Sequence, residues 1–95
     1  MLTRVDDLGA PISYMVLERG VTVFSSDGEP LGSVVRVQRD VATDIFDGIV
    51  FSMSEGIARH RFVDAPEVGE IYERGVILRI DAAAASELPP SRRFA

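Results

Sequence analysis

The chain has 95 residues, a formal net charge of −5 and no cysteine, which together are typical of one small acidic domain. This composition excludes disulfides, thiolate metal sites and thiol catalysis, and the negative charge opposes non-specific binding to nucleic acid or to an anionic membrane surface. Because no apolar run approaches the ~20 residues of a membrane span and the N-terminus lacks the apolar stretch of a secretory signal, we expect a cytoplasmic protein.

The two ends of the chain differ in character from its middle. Residues 1–11 are polar and interrupted by Gly and Pro, and are predicted to form an N-terminal arm. Residues 12–81 are predicted to form the β domain. The last part, residues 82–95, is predicted to begin with a short helical run from Ala82 to Leu88, capped by the preceding Asp81, and to continue as a flexible tail.

The domain begins with an apolar segment, residues 12–17, that has no clean alternation. Its β-branched and aromatic residues, followed by Glu-Arg-Gly, favour a short strand over a helix. Next comes the most informative stretch, residues 21–37, in which two runs rich in Val, Phe and Thr flank a Ser-Asp-Gly-Glu-Pro turn. Asp-Gly between apolar alternations predicts a β-hairpin, with Gly28 at positive φ.

Further short strands follow this hairpin. A loop at residues 39–44 leads to a third strand, Ile45–Met53, whose bulk on both faces is typical of a central strand. A turn then leads to a strand over residues 57–63, and Pro66 predicts a single helical turn after it. The last hairpin pairs residues 71–72 with 76–80, with Gly75 predicted at positive φ.

The number and spacing of these strands predict the fold class. Five or six short strands about ten residues apart, each followed by a turn signal, indicate an all-β domain, either a small barrel or a sandwich. The alternation of side chains between the two faces of each strand also predicts which residues form the core. Its expected members are Val23, Val35, Val37, Ile49, Phe51, Phe62, Val68, Ile71, Val76, Leu78 and Ile80.

The order of strands and turns resembles the PRC-barrel family, a small β-barrel named after the H subunit of photosynthetic reaction centres. The resemblance covers residues 20–81 and consists of strand and turn positions. The residues that carry it are Val23, Asp27-Gly28, Leu31-Gly32-Ser33-Val34, Val37, Asp40, Ile45, Gly48-Ile49-Val50, Phe62-Val63, Val68 and Val76-Ile77-Leu78.

This resemblance implies a PRC-barrel-like β-barrel with a short C-terminal helical turn. It also implies an adaptor without enzymatic activity, as in the reaction-centre subunit and in the C-terminal domain of a ribosome maturation factor that docks a ribosomal protein. Because the shared residues are structural, the resemblance transfers no functional site. We therefore predict no catalytic residue, no cofactor-binding residue and no metal ligand.

Several polar residues and glycines are candidates for a catalytic, metal-binding or phosphate-binding role. His60 is the only histidine, and a lone His between two Arg on a strand is more often structural than catalytic. Asp40, Asp44 and Asp47 do not follow the alternating spacing of a calcium loop, so turn formation is the favoured interpretation. Gly28 and Gly32 match no phosphate-binding motif and are interpreted as hairpin glycines.

The basic residues are the last candidates. All ten are Arg, which is typical of a GC-rich bacterial genome and weakens any inference of phosphate recognition. Arg59, Arg61, Arg74 and Arg79 could form a basic stripe, but the neighbouring glutamates favour a mixed-charge surface. In the tail, Arg92-Arg93-Phe94 could act as a short docking peptide or could simply be a disordered terminus.

Two function hypotheses remain. The preferred one is a non-catalytic protein–protein interaction or adaptor module that forms a homodimer or binds an unidentified protein, without membrane contact. Apolar residues in excess of what one small core can bury favour this hypothesis, because the chain's own arm and tail or another molecule must cover them. They are Phe46, Val50 and Ile77 on strand faces, with Tyr14, Met15 and Leu17 from the N-terminal segment. The alternative is an RNA- or ribosome-associated factor like the maturation-factor relatives, although the acidic charge disfavours nucleic acid as a partner.

Overall fold

The computed structural model describes residues 5–53 and 60–90, and these residues form a predominantly β structure. The strands are β1 (Thr22–Phe24), β2 (Pro30–Asp40), β3 (Ile45–Met53), β4 (His60–Asp64), β5 (Val68–Tyr72) and β6 (Gly75–Leu78). The described residues also form three 3₁₀ helices, η1 (Val5–Leu8), η2 (Tyr14–Val16) and η3 (Ala65–Glu67), and one α-helix, α1 (Ala82–Ala85). Within these residues no helix has the length and apolar character needed to cross a membrane.

All six strands belong to one sheet, in the order β4-β3-β2-β1-β6-β5. Neighbouring strands are antiparallel, except that β1 and β6 run parallel. The predicted all-β class and the upper limit of six strands are therefore confirmed. The sheet is open, with β4 and β5 as its two edge strands.

The connection between the two edge strands shows that this sheet is strongly curved. Strand β4 ends at Asp64 and β5 begins at Val68, with only the three residues of η3 between them. Four Cα–Cα steps reach at most about 15 Å, whereas the edges of a flat six-stranded sheet would lie about 24 Å apart. The curvature lets both edge strands contribute to one core, through Val63 on β4 and Val68 on β5.

Terminal segments cover both edges of the sheet. At β5, the Ile12 N–H donates to the Ile71 carbonyl oxygen over 2.9 Å, and Pro11 forms a bridge with Tyr72. At β4, the Phe62 N–H donates to the Pro89 carbonyl oxygen over 3.1 Å. Both covering segments contain proline, which has no N–H to offer a further strand, so they hinder edge-to-edge association.

The central hairpin forms as predicted. Strands β1 and β2 pair around a turn at residues 25–29, and Gly28 has a φ of +87°. Ser25 is fully buried, and its hydroxyl donates to the Asp27 carboxylate while accepting from the Glu29 N–H over 3.1 Å. The turn is therefore held by its own side chains in addition to the strand pairing.

A β-bulge changes the predicted core on β2. Val34 pairs with Phe51, but Arg36 pairs with Val50, so Val35 is an extra residue without a partner on β3. Because a bulge reverses the alternation of side chains beyond it, Val34 enters the core and Val35 is only half-buried. The prediction that Val35 is buried was wrong for this reason.

The rest of the predicted core is largely confirmed. Seven members are buried: Val23, Ile49, Phe51, Phe62, Val68, Val76 and Leu78. Val37, Ile71 and Ile80 are half-buried instead of buried. Strand β3 buries large apolar side chains on both faces, as expected for a central strand. Ile49 and Phe51 face the main core, and the equally buried Val50 pairs with Phe62 on the opposite face.

The strand predicted at residues 12–17 is not formed. The segment instead makes the 3₁₀ helix η2, which begins after Ser13. The Ser13 hydroxyl oxygen accepts a hydrogen bond from the Met15 N–H over 3.0 Å, which is the N-cap interaction that favours a helical turn over an extended chain. Only Ile12 keeps the extended pairing that the pattern predicted, through its bond to β5.

The predicted conformation of Gly75 is also wrong. Gly75 does not have a positive φ, and the two turn residues before it, Glu73 and Arg74, do not either. Glycine is needed there for space, because a Cβ atom would lie 2.8 Å from the Leu8 side chain and 3.1 Å from Phe24. Leu8 of the N-terminal arm is thereby seated on β6 and almost fully buried.

Both predicted helical segments form, although α1 ends at Ala85, three residues before the predicted end at Leu88. Pro66 lies in η3, and Asp81 caps α1 by accepting from the Ala84 N–H over 2.8 Å. Three other predictions fall outside the described residues: the turn at 54–56, the strand start at 57–59, and the Arg92-Arg93-Phe94 motif.

Candidate interaction surface

His60 occupies a structural position. It is the first residue of β4, it is half-buried, and it pairs with Ser52 of β3. Among residues 5–53 and 60–90, no group of three or more His, Asp and Glu side chains is arranged to hold a metal ion. His60 is thus one of the residues that pair β4 with β3.

The acidic residues between β2 and β3 form the turn. One carboxylate oxygen of Asp40 accepts from the backbone N–H groups of Ala42 and Thr43, over 2.9 and 3.4 Å. Asp44 has a φ of 59°, and its carboxylate pairs with the Arg39 guanidinium over 2.6 Å. The interpretation of these two residues as turn-forming carboxylates is confirmed.

The arginines considered for a basic stripe do not act as one group. Arg74 donates to the Asp7 carbonyl oxygen over 3.1 Å and lies 3.9 Å from the Glu73 carboxylate. Arg61 is on β4, at the opposite edge of the sheet order, and bridges to Pro90. Arg79 follows β6 and is exposed, and Arg59 lies outside the described residues. The Arg61 Nε atom is buried without a hydrogen-bond partner among the described residues, whereas Arg74 and Arg79 are exposed, so these arginines do not form one exposed basic stripe.

Four large apolar side chains are exposed on two neighbouring segments. Met15 and Val16, on η2, are 63% and 60% exposed, and Val41 and Ile45, at the turn between β2 and β3, are 84% and 58% exposed. Side chains of this type are normally inside. We call this region the hairpin-end surface and define it by Tyr14, Met15, Val16, Val41, Ile45 and Phe46.

Tyr14 connects the two segments of the hairpin-end surface. Its ring stacks on Phe46 with a centroid distance of 4.5 Å and an interplanar angle of 14°. Its hydroxyl donates to the carbonyl oxygen of Asp44 over 3.3 Å. An aromatic stack in this distance range stabilises by about 0.5–1.5 kcal/mol beyond burial, so η2 is held against the β2–β3 turn.

A shallow cleft of about 350 Å³ adjoins this surface. Its exposed lining is more polar than apolar, and it includes two arginines. The lining residues are Tyr14, Met15, Leu17, Arg36, Val37 and Arg39. The hairpin-end surface therefore combines exposed apolar side chains with a concave border that carries cations.

Part of this surface could be anticipated from the sequence. Tyr14, Met15 and Phe46 belong to the apolar surplus that the sequence predicts must be covered, whereas Val50 of that surplus is fully buried within the chain. Val41 and Ile45 were not recognised as surface residues, because Ile45 alternates like a core residue at the start of a strand. The available signal was Val41, a β-branched apolar residue within an otherwise polar turn, where a polar residue is the usual choice.

Comparisons with family models and with curated proteins found no match to this chain. No model of a known protein family matches the sequence, and no curated protein matches it significantly. The likeness to the PRC-barrel family therefore rests on the pattern of strands and turns alone.

Proposed function

We propose that this chain is a non-catalytic protein–protein interaction module of the PRC-barrel type, and that it forms a homodimer. The single observation that carries the proposal is the hairpin-end surface, where four large apolar side chains are exposed on two segments held together by Tyr14. Exposure of this kind on a small domain marks an interaction site. The family part of the proposal is supported by the six-stranded, strongly curved sheet, which is an open counterpart of a small barrel.

The size of the apolar patch supports association. Four residues exposed by 58% to 84% together present roughly 400 Å² of surface, which is the scale of the largest apolar patches on monomers. Burial of apolar area is worth about 25 cal/mol per Å² removed from water. Covering this patch is thus a substantial driving force, although ordering costs reduce the net affinity.

Light scattering coupled to size-exclusion chromatography tests the proposal. We expect a dimer at micromolar protein concentration in both about 50 mM and about 1 M NaCl, because an apolar interface persists when salt screens charges. A monomer in both conditions would contradict the homodimer. Tight RNA binding that weakens with salt would favour the ribosome-associated alternative instead.

A further inference from the structure

We infer that the hairpin-end surface is a twofold interface that docks onto the same surface of a second copy, with Arg39 of each protomer facing Asp47 of its partner. This inference rests on the proposed homodimer and assigns its location. The hairpin-end surface supplies the apolar centre, and the two charged residues lie at its border on β2 and β3.

Both charged residues can reach a partner. Arg39 pairs with Asp44 through one nitrogen, Nη1, and its side chain is 46% exposed, which leaves four N–H donors of the guanidinium group for another acceptor. Asp47 is exposed. It is an extra residue on β3, opposite the step from Gln38 to Arg39, and in the described part of the chain its carboxylate has no hydrogen bond or ion pair.

The presence of both Arg39 and Asp47 beside the hairpin-end surface, in addition to the turn carboxylates Asp40 and Asp44, makes this surface able to complement a second copy of itself. A partner of a single charge sign would match Arg39 or Asp47 and leave the other opposed or unmatched. In a twofold interface each contact between two different residues occurs twice. Arg39 of each protomer therefore faces Asp47 of the other, and both charges are matched. Such rim pairs contribute little affinity but determine register.

The area is also consistent with a dimer. Two apolar patches of this size, together with the half-buried Tyr14–Phe46 stack and the polar border, approach the roughly 1,200–2,000 Å² of a specific interface. The proline-containing segments at both sheet edges oppose dimerisation by strand addition. A face-to-face contact at the hairpin end is therefore the favoured geometry.

The first test changes the apolar centre of the surface. Ile45→Glu and Val41→Glu each place a charge on an exposed position and are expected to weaken dimerisation by about tenfold or more. Ala83→Glu makes the same chemical change on α1, at an exposed position outside the surface, and should leave the dimer unchanged. Thermal unfolding recorded at a concentration where all variants are monomeric verifies that they fold equally well.

The second test changes the charges. Arg39→Glu alone and Asp47→Arg alone should each weaken the homodimer, because each places like charges opposite one another. An equimolar mixture of the two variants restores both opposite-charge pairs, so we expect a heterodimer that is tighter than either homodimer. Native mass spectrometry distinguishes the three dimers by mass.

The outcomes separate this inference from the proposed function. A wild-type monomer at both salt concentrations would overturn the homodimer itself. A wild-type dimer that Ile45→Glu and Val41→Glu leave intact would overturn only the assigned surface. A mixture of the charge variants with no preference for the heterodimer would overturn the pairing of Arg39 with Asp47.

Discussion

Strand β2 has a turn at each end, and the two turns are opposite in character. At its start, the turn of residues 25–29 buries a polar side chain, Ser25, and satisfies it with hydrogen bonds to Asp27 and Glu29. At its end, the turn of residues 41–44 exposes Val41, and the adjoining Ile45 is exposed as well.

This difference indicates what each turn does. A buried polar group that is fully hydrogen-bonded contributes to the fold, since leaving it without partners would cost about 1–3 kcal/mol. An exposed apolar group contributes little to folding and becomes favourable only when another surface covers it. The first turn therefore stabilises the domain, and the second leaves apolar surface uncovered, which is the basis of the proposed interaction.

The largest expected loss of stability comes from a buried side chain in the pairing of β2 with β3. Phe51 of β3 is fully buried and pairs with Val34, so Phe51→Ala should lower the free energy of unfolding by about 3–5 kcal/mol. Ile45→Ala, on the same strand at the exposed end, should change it by only about 0.5 kcal/mol or less. Urea denaturation of both variants as monomers measures the contrast. Similar losses of unfolding free energy at Phe51 and Ile45 would contradict the distinction between the buried part of β3 and its exposed end.

The next effect tests the structural role of the first turn. Gly28→Val forces a β-branched residue into positive φ and should cost about 1–3 kcal/mol of unfolding free energy. Ser26→Val, at an exposed position in the same turn with an ordinary φ, is the matched control and should cost much less. Dimerisation should survive both substitutions. Equal stability of the two variants would show that the positive φ of Gly28 does not constrain the turn.

A smaller effect is expected at the second turn. Asp44→Asn removes the ion pair with Arg39 but keeps a residue type that tolerates positive φ. Because both side chains are about half exposed, the loss of unfolding free energy should be about 0.2–1 kcal/mol and should decrease in 1 M NaCl. Denaturation at low and high salt measures it. A loss comparable to that of Gly28→Val would mean that the second turn is also essential for folding.

The smallest effect concerns pH and the first turn. The hydrogen bond from the Ser25 hydroxyl holds the pKa of Asp27 below its ordinary value of 3.8. The folded state then binds this proton less readily than the unfolded state, so the carboxylate stabilises the fold above the unfolded pKa. That contribution is lost as the pH falls through the lower folded-state pKa.

Denaturation of the wild type and of Asp27→Asn at pH 6 and at about pH 2 tests this prediction. The variant should be the less stable protein at pH 6, and the difference should narrow in acid because the wild-type carboxyl becomes protonated there. A difference that stays constant over this range would mean that the charge of Asp27 is irrelevant to the turn.

Much of the fold follows from local patterns. The Asp27-Gly28 turn, the central strand over Ile45–Met53, the 3₁₀ turn at Pro66 and the Asp81 cap all form where the sequence predicts them. Each depends on residues a few positions apart, whose backbone preferences and side-chain hydrogen bonds act locally. The sequence also predicted that Tyr14, Met15 and Phe46 belong to an apolar surplus, and these are three of the six residues that define the hairpin-end surface.

The sequence by itself therefore determined the all-β class, the positions of most strands and turns, and an excess of apolar residues over what one core can hold. Only the tertiary structure decided the rest. The bulge at Val35 depends on how β2 pairs with β3. The small space at Gly75 depends on Leu8, which packs there from the N-terminal arm. The exposure of Val41 and Ile45 depends on the position of their hairpin end relative to the core. These features arise between residues distant in sequence, so no local pattern contains them.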